Sequence, residues 1–139
     1  MVGSNFRTRQ NGTCTQLNKE KATPHCCDIW MCRLEGVPGS SIQSGYRPVL
    51  VISNDLNNTH STLVNVMPIT SKGNKRNLPV HVDLENFADY GLSVPSTVLC
   101  EQVTVLPADR LERRVGNIYD GSTRLKIKRA IEIQFPFSN

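Results

Sequence analysis

No stretch of this 139-residue chain approaches the roughly 20 consecutive apolar residues of a membrane-spanning helix, so no membrane partner is expected. No internal repeat is visible. Cysteines number five (Cys14, Cys26, Cys27, Cys32 and Cys100), an odd count, and no apolar leader of signal-peptide length accompanies them. A secreted disulfide scaffold is therefore not expected, and a cytoplasmic protein is. His25, Cys26, Cys27 and Cys32 lack the paired C-x2-C spacing of a zinc site and fall where CCDIWMCRL reads as a strand. They are expected as core or strand-face thiols, with no metal and no other cofactor. Nor is there much net charge. The formal +4 divides into +3 within residues 1–24 and 12 basic against 11 acidic groups in the rest, so overall charge does not argue for nucleic-acid binding by the folded part. Only local clusters could: Lys72, Lys75 and Arg76, or Arg110, Arg113 and Arg114, the latter reading equally well as solvated surface charge.

What is present is one domain's worth of chain, large enough for a single modest core. Residues 1–24 are polar and almost free of apolar periodicity, and are expected to form a mobile tail ahead of a domain spanning 25–139. Strands are expected at 27–34, at 49–52, at 63–69, at 80–84 where Val80, Val82 and Leu84 alternate with polar residues, at 97–105 and at 115–119. Residues 56–61 read as a polar turn, residues 85–90 as a helical turn closed by Gly91, and Pro107, Ala108 and Asp109 as another short turn. Beyond Asp120 the apolar positions Leu125, Ile127, Ile131, Ile133 and Phe135 fit two-residue alternation about as well as a helical stripe. Asp120 or Ser122 as a cap favours a helix, ended by Pro136.

The most telling segment is GYRPVLVISND, residues 45–55. Pro48 fixes the backbone, the run 49–52 is apolar enough to bury both faces of a strand, and Arg47 stands between that strand and a Gly/Ser-rich loop at 35–46. If 49–52 and 63–69 pair as an antiparallel hairpin, the residue entering the first lies opposite the residue leaving the second, and Arg47 meets Thr70. A guanidinium and a hydroxyl at one rim suit a phosphate, and a second, basic loop at 71–79 leaves the same rim. The plainer readings are a surface arginine paired with a carboxylate and a strand-end hydroxyl capping a turn.

Four segments, GYRPVLVISND, PITSK (68–72), LPVHVDL (78–84) and VLCEQ (98–102), together resemble the MazF/PemK toxin endoribonucleases in order and spacing, across roughly the last four-fifths of the chain. The resemblance implies an α+β fold: a small, strongly bent antiparallel β-barrel of the SH3-like kind with short helical insertions and a C-terminal helix. It implies a metal-independent endoribonuclease that cuts single-stranded RNA, a messenger RNA, at short sequences. The products would be a 2',3'-cyclic phosphate and a 5'-hydroxyl, since RNA supplies its own nucleophile and needs only charge stabilisation and proton transfer. Arg47 and Thr70 would be catalytic. Gln43, Ser44 and Gly45 match the family's Gln-Gly-Gly loop, Ser71 adjoins Thr70, and Glu101 and Gln102 match positions that contact RNA bases, so these six form the expected RNA-binding set. A homodimer, a cognate MazE-like antitoxin, and operator DNA bound only through the antitoxin complex are the implied partners.

The chain departs from the family at Ile42, where a glutamate is usual, at Ser44 for glycine, and at Cys27–Asp28 for the Gly-Asp that enters the first strand. Loss of an acidic base-reading position bears on the cleavage sequence more than on activity. A His pair is the usual acid/base solution for RNA cleavage near neutral pH, but His25, His60 and His81 do not obviously converge. The competing class is a non-catalytic interaction module, a barrel that poisons gyrase as CcdB toxins do or co-represses transcription with an antitoxin. Retention of Arg47, Thr70 and the Glu101–Gln102 pair favours the nuclease.

Overall fold

The apolar run at 49–51 is buried completely because it crosses the middle of a sheet that has a core on each face. The computed structural model describes residues 22–71, 73 and 78–137, so most of the expected tail and Lys72, Lys75 and Arg76 lie outside the described residues. The strands are β1 (Asp28–Leu34), β2 (Gly45–Val51), β3 (Leu63–Ser71), β4 (His81–Leu84), β5 (Ser96–Leu99), β6 (Thr104–Pro107) and β7 (Leu111–Asn117). The sheet order is β4-β5-β3-β2-β1-β7 with β6 also paired to β3, and every pairing is antiparallel. This is the bent sheet with a C-terminal helix that the sequence implied. Its strand path is open, with no ladder between β4 and β7 among the described residues.

Alternation along each central strand distributes side chains between the two cores. Ile29, Leu50, Met67 and Ile69 face a larger core that includes Val82, Leu84, Val98 and Ile118 and is covered by helix α2 (Gly121–Gln134). Trp30, Val49, Val51, Val64 and Val66 face a smaller one with Leu106 and Leu111. The C-terminal helix is confirmed: Asp120 Oδ2 accepts from the Thr123 N–H at 3.1 Å, and Thr123, Ile127 and Ala130 are the buried face. Leu125 and Ile133 stay exposed, which is why the segment also read as a strand.

Four expectations change. Residues 56–61 are mostly helix, α1 (Asp55–His60), because Asn54 Oδ1 caps the Asn57 N–H at 2.7 Å and buried Asn58 exchanges two bonds with Ser53. The expected strand 97–105 is two strands broken by a 3-10 turn, Cys100–Gln102. The Cys100 N–H goes to the Val80 carbonyl (3.0 Å), which draws the thiol fully into the core and shifts the register along β3 from Ile69↔Val98 to Val66↔Thr104. The strand expected at 115–119 is β7 and begins earlier, at Leu111. Cys32 is a core thiol as expected and Cys100 is another, but Cys26 and Cys27 sit in the turn before β1, half-buried rather than on a strand.

That turn exists to bury Asp28, the side chain on which the edge of the sheet is tied. Cys27 takes a left-handed φ of 72°, a conformation that costs an L-residue roughly 1–2 kcal/mol and that the glycine usual there in the family would adopt freely. Asp28, with no exposed surface, accepts from the His25 N–H (2.8 Å), Trp30 Nε1 (3.3 Å), Asn117 Nδ2 (2.9 Å) and Arg114 Nε (3.1 Å). Burial alone pushes its carboxyl up, but these four donors outweigh it and hold the group below the usual carboxylate range.

Asp28→Asn presents an amide N–H to donors that have lost their charged acceptor, and the folded chain should lose about 3 kcal/mol, read by urea unfolding at pH 7. Because the carboxyl titrates lower in the folded chain than in the unfolded one, its stabilisation is complete above about pH 5 and fades as pH falls through and below about 4. The difference between wild type and variant should therefore shrink on acidification.

Candidate active site

One proline stands where the site opens. The β2–β3 ladder runs from Val51↔Val66 through Leu50↔Met67 to Val49↔Pro68 and stops there. The next rung would fall on Pro48, which has no N–H to offer β3, and the two strand ends separate there. Beyond that point β2 pairs only with β1 (Arg47↔Cys32), and β3 only with β5 (Thr70↔Thr97). A cavity of about 480 Å³ lies between them.

Arg47, Thr70 and Ser71 all line this cavity, so the meeting inferred from hairpin register is found, although as facing walls rather than a hydrogen-bonded rung. Arg47 is half-buried, and its Nε donates to the Ser44 carbonyl at 2.9 Å, with no hydrogen bond from either Nη group to the described residues. Thr70 is 8% exposed. Tyr46 and Arg113 complete the polar part of the wall, and Gly91, Leu92, Ser93 and Val94 form its far side. Gly91 is held there by close approach: a Cβ on it would meet the Val115 carbonyl, and one on Gly116 the Tyr90 carbonyl. Among the described lining residues there is no Asp, Glu, His or Cys.

The remaining expected RNA contacts lie elsewhere. Gln43 and Gln102 line a second cavity of about 210 Å³ on the other side of Pro68. There they are structural fasteners: Gln102 Oε1 accepts from the Gln43 N–H at 3.0 Å and its Nε2 donates to the Ser41 carbonyl at 3.0 Å, pinning the loop 35–44 onto the 3-10 turn. Gly45 opens β2 with φ 88°, a left-handed position that suits glycine, and Ser44 acts through its carbonyl on Arg47. Glu101 Oε2 meets His81 Nε2 at 2.9 Å, while its Oε1 is buried without a hydrogen-bond partner among the described residues. His81 is thus a satisfied strand histidine, and none of His25, His60 or His81 lines the cavity.

Tyr46 and Arg113 were missed from sequence. Tyr46 is 45% exposed with the Arg33 guanidinium 5.6 Å from its ring centre, a surface on which an unstacked base can lie. Its adjacency to Arg47 was the available signal. Arg113 and Arg114 read alike in the sequence, but Arg114 is committed to Asp28 and Arg113 faces the cavity.

The family model described as PemK-like, MazF-like toxin of type II toxin-antitoxin system matches residues 25–135. The chain is 36% identical over 106 residues to the endoribonuclease MazF of Staphylococcus saprophyticus, covering 76% of this chain and 86% of that protein. Among solved structures it resembles the Mycobacterium tuberculosis toxin MazF-mt6 (TM-score 0.65, 28% identity, covering 78% of this chain and 96% of that one). It also shares the fold of a mycobacterial endoribonuclease solved with its cognate antitoxin (TM-score 0.61, 22% identity, covering 82% and 96%).

If Gln102 fastens the loop, Gln102→Ala removes two hydrogen bonds and should cost about 1–2 kcal/mol. Limited proteolysis should then cut within residues 35–44 several-fold faster, while exposed Ser71→Ala leaves that rate unchanged.

Proposed function

The chain belongs to the PemK-like, MazF-like toxins of type II toxin–antitoxin systems, and we propose that, as an endoribonuclease of that family, it cuts single-stranded RNA without a metal ion. Cleavage at short sequences in messenger RNA yields a 2',3'-cyclic phosphate and a 5'-hydroxyl. The observation that carries this reading is the sharing of one cavity by Arg47, Thr70 and Arg113, with no carboxylate, imidazole or thiol among its described lining residues. Such a donor set suits a phosphate and offers nothing that would hold a divalent cation.

The 2'-hydroxyl attacks the adjacent phosphorus, and negative charge builds on the non-bridging oxygens as the 5' oxygen departs. Arg47, with its Nε spent on the Ser44 carbonyl, directs its Nη groups at those oxygens. It arrives already oriented, so little reorganisation is required as the charge develops. Thr70 adds a hydroxyl donor from the facing strand, and Arg113 a second cation that holds the neighbouring phosphate. Ser71 and Tyr46 engage the nucleotide beside the scissile bond. Glu101 contacts a base edge from the same 3-10 turn as Gln102, and Gln43, Ser44, Gly45 and Gln102 shape the loop that closes on the strand. The toxin acts in the cytoplasm as a homodimer. A MazE-like antitoxin neutralises it by laying an extended segment along the dimer and displacing the loop 37–46, and the complex reaches operator DNA through the antitoxin.

Arg47→Ala should lower single-turnover cleavage of a long RNA by at least about 10²-fold, the scale for losing one preorganised donor, with an almost unchanged melting temperature. Arg47→Lys should rescue poorly, because a point charge cannot donate as a fork. Thr70→Ala should cost less, and the double variant less than the product of the singles if both act on one phosphate. A rate for Arg47→Ala within threefold of wild type would remove the cavity from the mechanism.

Metal independence has its own measurement. Cleavage in excess EDTA should match cleavage in magnesium, with the same cut sites and cyclic ends. Full loss with chelator and recovery on adding magnesium would overturn it.

A further inference from the structure

Beside Arg47, β2 presents an aromatic ring that already carries a cation. Arg33 and Tyr46 are direct cross-strand partners in the β1–β2 ladder, two residues along from Met31↔Pro48, so all four side chains leave the same face of the sheet. The Arg33 guanidinium lies 5.6 Å from the Tyr46 ring centre. Tyr46, Met31 and Pro48 line the Arg47 cavity, whereas Arg33 borders the second cavity instead. β2 has β1 on one side and the β2–β3 gap on the other, so the guanidinium backs the ring from the β1 side and the opposite ring face is turned toward the gap. Glu35, two residues on from Arg33, pairs with Arg110 at 3.6 Å.

We propose that Tyr46 is a specificity-determining residue whose ring stacks on the base next to the scissile phosphate, purines in preference to pyrimidines, and that Arg33 is a positioning residue that holds the ring for it. The inference rests on the nuclease reading of the cavity and deepens it. Tyr46 is 45% exposed, so a base lying on it removes apolar ring surface from water. Every base has a π-face, which makes such a platform tolerant, and a purine overlaps more of the ring than a pyrimidine. A guanidinium on the far face is attracted by the ring quadrupole and restrains the ring before RNA arrives, which lowers the ordering cost on binding. The stack is the same before and during bond breaking. It therefore belongs in KM rather than in kcat.

The test combines variants with base removal. Cut sites are first mapped on a long RNA, and oligonucleotides spanning one of them are made with a single abasic nucleotide at each position in turn from two before to two after the cut. Tyr46→Ala should raise KM about tenfold, leave kcat within about twofold and flatten the purine preference at one position only. Removing the base at that position should cost the wild type about as much and Tyr46→Ala almost nothing, because the partner is already gone. Tyr46→Phe, which keeps the ring, should match the wild type. Arg33→Ala should raise KM about threefold through the same position, and Arg33→Lys should recover part of the loss, since an ammonium also binds a ring face. A base-removal cost equal in wild type and Tyr46→Ala at every position would overturn the proposal. A lowered melting temperature with unchanged KM for Arg33→Ala would overturn the part given to Arg33, leaving it a cross-strand pair that only steadies the sheet. If either result came with cleavage still lost in Arg47→Ala, the nuclease reading would stand without this inference, whereas a wild-type protein that cuts no RNA would remove both.

Discussion

The β2–β3 ladder cannot continue past Val49↔Pro68, and most of what is functional in this protein follows from that limit. Pro48, a residue without an N–H group, stands where the next rung would form. Each strand end then keeps one partner instead of two: β2 holds β1, and β3 holds β5. The sheet bends around the gap, and side chains that would have faced each other across a closed ladder, Arg47 and Thr70, become the walls of a cavity. A continuous ladder would have kept the core and lost the site.

A cavity lined by two guanidiniums and, among the described residues, no carboxylate is not self-stabilising, so the scaffold has to be held by other means. The polar ties lie around it. Asp28 gathers four donors from β1, β7 and the preceding turn. Tyr90 donates to Asp120 at 2.6 Å and so links the wall near Gly91 to the cap of α2. Hydrogen bonds from Thr123 first, then from Tyr90 and Ser122, hold Asp120 well below the usual carboxylate range, so the cap stays ionised. Gln102 fastens the loop whose Ser44 carbonyl orients Arg47. Charge is satisfied in the frame, whereas the two guanidiniums of the cavity meet no carboxylate among its described lining residues.

The apolar run at 49–51 announced a strand buried on both faces, and hairpin register alone brought Arg47 to Thr70. The cap at Asp120 carried the C-terminal helix against an ambiguous period. What misled were residues whose local preference was overruled or shared. VLCEQ is apolar enough to be a strand, yet Cys100 is pulled inward and the segment turns. Residues 55–60 are polar enough for a turn, yet Asn54 and Asn58 make them a helix. Gln102 also has a structural task that its sequence did not announce, accepting from the Gln43 backbone N–H.

By itself the sequence determined most of the strands, the family and the meeting of Arg47 with Thr70, because periodicity, proline position and motif spacing are properties of the chain read in order. It could not say which of Arg113 and Arg114 faces the cavity, or that Gln43 and Gln102 belong to a different cavity from Arg47. Nor could it say that Cys26 and Cys27 stand in a turn beside α2. Those are decided by which strand lies against which and by where a buried carboxylate collects its donors. Both depend on contacts between residues far apart in the chain, such as Asp28 with Asn117, and no local pattern encodes them.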